Sequence, residues 1–453
     1  MKTVSNFTEG PILGPLLRFA FPILFAMFLQ TMYGAVDLII IGQFCDAAAV
    51  SAVSNGSYIM MTLTFVITGI SLGVTILLGQ KIGEKKLDEG GQIIGNGIVL
   101  FFIIAVIVSI FTIFSAGLWC KFLKIPQEAV PPCKSYLIIC GAGVIFIVAY
   151  NLLGAVFRGL GNSKIPLIIV AIACVFNIFG DLFFVAVLKT GAAGAAIATV
   201  LAQALSVVIS LLYIRKMELP FNFNRKMIKF NGECNRKVLK LGVPVALQDL
   251  LVSISFFFVT AIINSMGLIA SAGIGIAEKV CGFIMLVPSS FSQSMSSVVA
   301  QNYGAKKMDR AKKALLCGIG SSFIVAIFIS YLGFFHGDLL CKLFTQDLQI
   351  ADAGWQYLKG YSIDVLFTSF LFCLIGFFNG AGRTKFVMIQ GIVGAFCVRV
   401  PVCYIIHHFF PDSIFYLSLA TPCSTFTQIL ICFVYFKIFN KKVKYNGFQN
   451  YNS

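Results

Sequence analysis

Runs of apolar residues on the order of 20 long, the length a helix needs to cross a bilayer, recur twelve times along this chain. They fall roughly at 14–41, 52–79, 92–118, 135–157, 165–188, 192–214, 239–264, 270–299, 313–336, 356–379, 386–407 and 415–437. No other feature constrains the fold as much. A segment in lipid must satisfy its backbone N–H and C=O groups internally, and a single uninterrupted apolar run does so only as a helix. The composition agrees: of 453 residues 58% are hydrophobic and 11% charged, where a soluble domain carries about 25% charged residues. Met1 to Gly10 is polar, and the first apolar run is too long for a cleavable leader, so none is expected. The expected fold is an all-α polytopic membrane protein of twelve transmembrane helices.

The net charge is +16, which in a soluble protein would point to nucleic acid. Its placement gives another answer. Of the 34 Lys and Arg, only Lys121, Lys124, Lys134, Lys189, Lys342 and Lys359 fall in the odd-numbered loops, and Lys279 and Arg399 fall within spans. The other 26 belong to the termini and to the loops after spans 2, 4, 6, 8 and 10, with Arg18, Lys240, Lys313 and Lys437 at the adjoining ends of the runs. By the positive-inside rule both termini are cytoplasmic. Nucleic-acid binding is therefore excluded, and the lipid bilayer is the partner, with anionic headgroups near residues 215–240. The 14 cysteines are scattered through apolar runs without a C-x-x-C pair, which reads as soft core filler rather than a metal site or disulfide framework. His336, His407 and His408 sit at outer span ends, and the adjacent pair cannot face one way on a helix.

The chain repeats itself. Gly79-Gln-Lys-Ile-Gly-Glu-Lys-Lys-Leu-Asp88 returns as Ala300-Gln-Asn-Tyr-Gly-Ala-Lys-Lys-Met-Asp309, and Phe157-Arg-Gly-Leu-Gly-Asn-Ser-Lys164 as Phe378-Asn-Gly-Ala-Gly-Arg-Thr-Lys385, both 221 residues on. Pro22 answers to Pro244 at 222. The protein is a duplicated six-span unit. An even number of spans per unit makes the repeat parallel, related by an axis along the membrane normal. The expected domains are 1–217, a six-helix lobe; 218–237, a basic cytoplasmic linker; and 238–453, a second six-helix lobe. Two such lobes leave a cleft where alternating access can operate. G-x-x-x-x-G-K-[ST] is absent, which removes ATP as the energy source, and no strand precedes Gly159–Gly161 or Gly380–Gly382, which are turn glycines.

Within these runs, ionisable residues mark function by default. Asn177 and Asp181 stand four apart and so share one helix face. Asp37 follows Pro22 by 15 residues, about 22 Å at ~1.5 Å per residue. Asp181 lies 16 past Ile165, and Thr199 lies eight past Gly191 at the outer start of span 6. Asp37, Asn177, Asp181 and Thr199 thus share one depth in the outer half of the first lobe. Two carboxylates, an amide and a hydroxyl suit a hard cation such as Na⁺. Alternatively the two acids share protons, because like charges in low dielectric do not both ionise. The same four groups serve either ion. The second lobe diverges: Val259 replaces Asp37 and Arg399 replaces Asn177 at the 222 offset. It has its own intramembrane charges at Asp249, Glu278, Lys279, Asp364 and Arg399. Gln30, Asp249 and Glu278 are the candidates for lining a substrate cleft, where aromatic and Met side chains would suit flat organic cations.

Pro22 with Asp37, Phe157-Arg-Gly-Leu-Gly-Asn-Ser-Lys-Ile-Pro-Leu167, Asn177-x-x-x-Asp181, Gly191-x-x-Gly-Ala-Ala-x-Ala-Thr199 and Gln301-Asn-Tyr-Gly-Ala-Lys-Lys307 together resemble the multidrug and toxic compound extrusion (MATE) family over nearly the whole chain. The resemblance implies two six-helix lobes in a V in a bacterial inner membrane. It also implies a monomer without cofactor that exports organic cations or drugs in exchange for Na⁺ or H⁺. Asp37, Asn177, Asp181 and Thr199 match the family's first-lobe cation site, and Pro22 the proline whose bending is tied to protonation. The acidic first lobe favours the DinF-like branch over the NorM-like one, whose acids lie in helices 7 and 10, where Asp249 and Asp364 fall here. A lipid-linked oligosaccharide flippase would share the architecture but is expected to carry more cationic side chains along its cleft. An integral-membrane transferase would need an Asp or His cluster at a membrane face, and no D-D-x-x-D is present. A major-facilitator protein would carry its own signature after span 2, which Gly79–Asp88 lacks.

Overall fold

The structure is a computed structural model that describes residues 6–217, 219–221 and 223–449, with side chains to 441. Both chain ends, and residues 218 and 222 of the expected linker, lie outside the described residues. Twelve helices are long and apolar enough to cross a membrane. They are α1 Leu13–Phe44, α2 Ala47–Gly83, α3 Leu87–Phe122, α4 Gln127–Gly159, α5 Lys164–Val187, α6 Gly191–Lys216, α7 Gly232–Ser265, α8 Leu268–Gly304, α9 Met308–Lys342, α10 Leu348–Gly380, α11 Thr384–Phe409 and α12 Ile414–Lys441. Among the described residues there is no strand. Each helix matches one of the expected spans, and all but α5, which ends one residue short of 188, run further at both ends. Helical hydrogen bonding does not stop at the edge of the hydrocarbon, so α2 continues through the polar Gln80 and Lys81 to Gly83. Pro22 lies inside α1 and Pro244 inside α7. A proline there removes one N–H from the ladder and loosens the helix at that turn.

Two helices change winding midway. α5 passes from α to π geometry at Leu182–Val187, directly after Asp181. α11 does so at Val393–Arg399. Such π turns sit disproportionately at functional sites. Nothing in the residue pattern announces them.

The chain divides into two compact units: Met1–Leu247 with Ser296–Ala311 and Gly380–Gly382, and Gln248–Met295 with Lys312–Asn379 and Arg383–Ser453. The core of the first unit is built from α1 to α6 around side chains such as Ile41, Phe101, Leu137 and Phe157. That of the second gathers Ile263, Ile274, Leu358, Val365 and Cys403.

The duplication seen in the sequence is reproduced in backbone detail. Lys85 and Lys306 both take positive φ, 59° and 57°, as do Gly161 and Gly382, 77° and 74°. Each follows a helix end at which the next residue's N–H reaches back five residues: Lys86 to Lys81, Lys307 to Asn302, Asn162 to Phe157 and Arg383 to Phe378. This is the left-handed cap that satisfies orphan carbonyls. Inside the first unit the mates also grip one another reciprocally. Gln80 Nε2 donates to the Gly380 carbonyl at 3.0 Å, and Gln301 Nε2 to the Gly159 carbonyl at 3.3 Å. A Cβ on Gly83 would strike the Gln301 carbonyl, and one on Gly304 the Gln80 carbonyl. The N-terminal strap lies across this junction. Arg310 donates to the carbonyls of Phe7 at 2.9 Å, Glu9 and Gly10 at 2.8 Å and Pro11 at 3.3 Å, while Phe7 is buried against Phe19.

Candidate cation site

α5 carries its two polar groups on one face, and that face is turned into the first unit. Asn177 and Asp181 are both 0% exposed and Asp37 of α1 is 4% exposed, so neither water nor lipid reaches them. α6 approaches α5 closely because Gly180 lacks a side chain: a Cβ there would lie 3.0 Å from that of Ala198. That contact sets the next residue, half-buried Thr199, beside the acids. Thr199 Oγ1 donates to Asp37 Oδ2 at 3.5 Å. The Asn177 amide bridges the acids. With its nitrogen turned toward them, the orientation in which the amide meets acceptors, it donates to Asp37 Oδ1 at 2.7 Å and Asp181 Oδ2 at 3.3 Å. Which way an amide faces is assigned from such a network rather than seen directly. The two carboxyl groups also lie within hydrogen-bonding reach of each other.

What the site lacks is a positive charge. Neither carboxylate takes part in any ion pair among the described residues. Asp181 Oδ1 is buried without a hydrogen-bond partner. An isolated buried carboxylate is strongly disfavoured, so this arrangement calls for something cationic between the acids, a proton or a small hard ion. Among the described residues no group of three or more His, Cys, Asp and Glu is placed to hold a metal. The donors are two carboxylates, an amide and a hydroxyl, the set that suits Na⁺ rather than a transition metal.

The four residues singled out for this site are thus brought together. Sequence reasoning missed their surroundings. Tyr33, one turn before Asp37 on α1, reaches the Thr199 carbonyl with its hydroxyl at 3.5 Å. Tyr136 and Cys140 of α4 complete the wall, with the Tyr136 hydroxyl 3.0 Å from Ser57 Oγ. The four-residue spacings Tyr33–Asp37 and Tyr136–Cys140 were the available signal.

The other charged and cleft candidates are dispersed. Gln30 of α1 is exposed, within hydrogen-bonding reach of the Tyr150 hydroxyl. In the second unit Asp249 and Lys279 are exposed, as is Glu278, which accepts from Thr260 Oγ1 at 3.4 Å. Asp364 and Arg399 are instead each buried, at 1% and 5% exposure, with Asp364 Oδ1 and Arg399 Nε lacking a hydrogen-bond partner. Arg399 Nη1 donates to Ser255 Oγ at 3.0 Å and its guanidinium lies 4.2 Å above the Phe256 ring.

The family model MatE matches residues 22–183 and 244–405, two equal stretches that begin at Pro22 and Pro244. The chain is 28% identical over 397 residues to the probable multidrug resistance protein YpnP of Bacillus subtilis, covering 87% of this chain and 88% of that one. It is 24% identical over 442 residues to the probable multidrug resistance protein YoeA of the same organism, covering 94% and 93%. Among solved structures, an outward-facing multidrug resistance MATE family transporter of the MOP superfamily superposes with a TM-score of 0.91 at 20% identity. It covers 98% of this chain and 99% of its own.

Proposed function

This chain belongs to the MatE family, and from that premise we propose that it is a secondary transporter that exports organic cations or drugs by antiport with Na⁺ or H⁺. The relatives named for multidrug resistance support the substrate class. One observation carries the coupling: two buried carboxylates share one amide donor, and neither joins an ion pair among the described residues. Loading a cation there replaces the amide nitrogen as the group that separates the two acids. The Asn177 side chain has a donor and an acceptor end. Its nitrogen serves the bare carboxylates, and its oxygen, once turned, joins them around an ion. A ligand shifts a conformational equilibrium only by its differential affinity for the two states. Ion entry at Asp37 and Asp181 therefore favours the orientation that releases the exported molecule outside.

In this reading 1–217 and 238–453 are the moving lobes and 218–237 their tether. Pro22 is the point at which α1 bends. Gln30, Asp249 and Glu278 face the exported molecule. The protein works as a monomer in the bacterial inner membrane with both termini in the cytoplasm.

Efflux of a cationic dye from proteoliposomes, driven separately by a Na⁺ gradient and by a pH gradient, tests the proposal and identifies the ion. Asp37→Asn and Asp181→Asn are each expected to abolish driven efflux while folded protein remains in the membrane. Unchanged efflux by both variants would sink the mechanism.

A further inference from the structure

The segment that enters α1 is held by the second repeat. Arg310, in the first turn of α9, spends its guanidinium on the carbonyls of Phe7, Glu9, Gly10 and Pro11. Lys307 Nζ donates to the Thr8 carbonyl at 3.0 Å, and Asn302 Nδ2 to that of Phe7 at 3.2 Å. A cation in the first turn of a helix faces the unfavourable end of its dipole, and the strap carbonyls offset that for Arg310. The Phe7 ring goes the other way, to the first repeat. It is buried edge-on against Phe19 of α1, with ring centroids 5.2 Å apart. The strap is thus bonded to one repeat through its backbone and packed on the other through one ring, all inside the first compact unit.

Gln301 shows what the strap controls. It is 0% exposed, accepts from the Phe7 N–H with Oε1 at 3.1 Å, and donates with Nε2 to the Gly159 carbonyl at the end of α4. A Gln side chain has one acceptor end and one donor end. The Phe7 N–H therefore fixes which way Gln301 faces and keeps its donor on α4. Three residues on, Gly304 lies against the Gln80 carbonyl of α2, with Gly83 against that of Gln301. Without the strap, Gln301 Oε1 would be buried and unpaired, a costly state for a polar atom.

We propose that residues 7–11 are a latch that holds the ends of α2, α4 and α8 together, so that this end of the molecule opens only when the strap leaves Arg310. The inference rests on the proposed alternating access, in which this end faces the cytoplasm. The strap runs directly into α1, the helix that carries Pro22 and Asp37, so displacement of the first turns of α1 pulls on the latch. Arg310 binds strap carbonyls rather than strap side chains, and Lys307 lies 4.0 Å from exposed Glu9, a surface pair that contributes little. The grip accordingly depends on Arg310 and Phe7 and not on the charge of Glu9.

Amide hydrogen exchange on the purified full-length protein, resolved by mass spectrometry, tests the latch without requiring transport. Groups that open in one cooperative event exchange together, so in wild type the peptides covering residues 6–12 and 78–86 are expected to share one opening rate. Arg310→Ala is expected to speed both by about tenfold or more, the effect of losing bonds to a charged donor. Phe7→Ala removes the other anchor, should do the same, and decides the matter where Arg310→Ala does not fold. Glu9→Gln should leave both as in wild type. Either variant that frees residues 6–12 while 78–86 keep their wild-type protection overturns the proposal. A failure of the transport reading shows elsewhere, as wild-type proteoliposomes without ion-driven dye efflux.

Discussion

Asn177 makes two contacts in the first-lobe cluster, one of 2.7 Å and one of 3.3 Å, both to carboxylates. Hydrogen bonds to charged groups contribute about 1.5–3 kcal/mol, so this amide outranks Thr199, whose 3.5 Å contact is at the outer limit of a useful bond. Asn177→Leu, close in volume but without a donor, is expected to destabilise the protein by roughly 2–4 kcal/mol in ion-free buffer, on the cost of stranding a buried charged group. Added coupling ion should restore part of that loss. Thermal unfolding in detergent with and without the ion reads both effects. Thr199→Val should shift the same transition by less than about 1 kcal/mol and reduce driven efflux without abolishing it. A larger effect for Thr199→Val than for Asn177→Leu contradicts this ranking. At this scale the sequence showed which residues share a depth. It did not show that the amide is the bridge, because a hydrogen bond depends on side-chain angles that spacing leaves open.

α2 and the end of α8 pack where Gly83 and Gly304 each press against the partner helix's backbone, and where Gln80 and Gln301 cross to Gly380 and Gly159. These contacts give the repeated blocks around Gln80 and Gln301 a packing role that their residue types alone do not state. Gly83→Ala and Gly304→Ala should each cost about 1–3 kcal/mol, the usual penalty of an overpacked contact, because the obstacle is a backbone carbonyl rather than a movable side chain. Gly34→Ala in α1, where a Cβ would meet nothing within 4 Å, serves as the control and should be neutral or slightly stabilising. Comparable melting losses at all three positions would show that the close approach is not the cause. Helix existence was legible from apolar length alone. The π turns of α5 and α11 were not, since the length of an apolar run says nothing of where the backbone hydrogen bonds change register.

Across the whole molecule, the asymmetry of Lys and Arg between alternate loops sets the expected topology. A fluorescent protein fused to the C-terminus should fluoresce, and alkaline phosphatase fused there should be inactive; an active phosphatase would reverse the orientation. Twelve spans, their duplication and the residues able to carry charge within them were determined by the sequence itself. Each follows from one-dimensional quantities: the length an apolar run needs in lipid, a fixed offset, and the cost of an ion in a greasy segment. Tertiary structure decided which buried polar groups meet. Both lobes hold acids inside the membrane-spanning helices. Only packing sets Asp37 of α1 and Asp181 of α5 on either side of the Asn177 amide, and turns Arg399 of α11 onto Ser255 and Phe256 of α7. The reason is that a hydrogen bond is a matter of a few ångströms between different helices, and residues far apart in the chain acquire that distance only when the bundle closes.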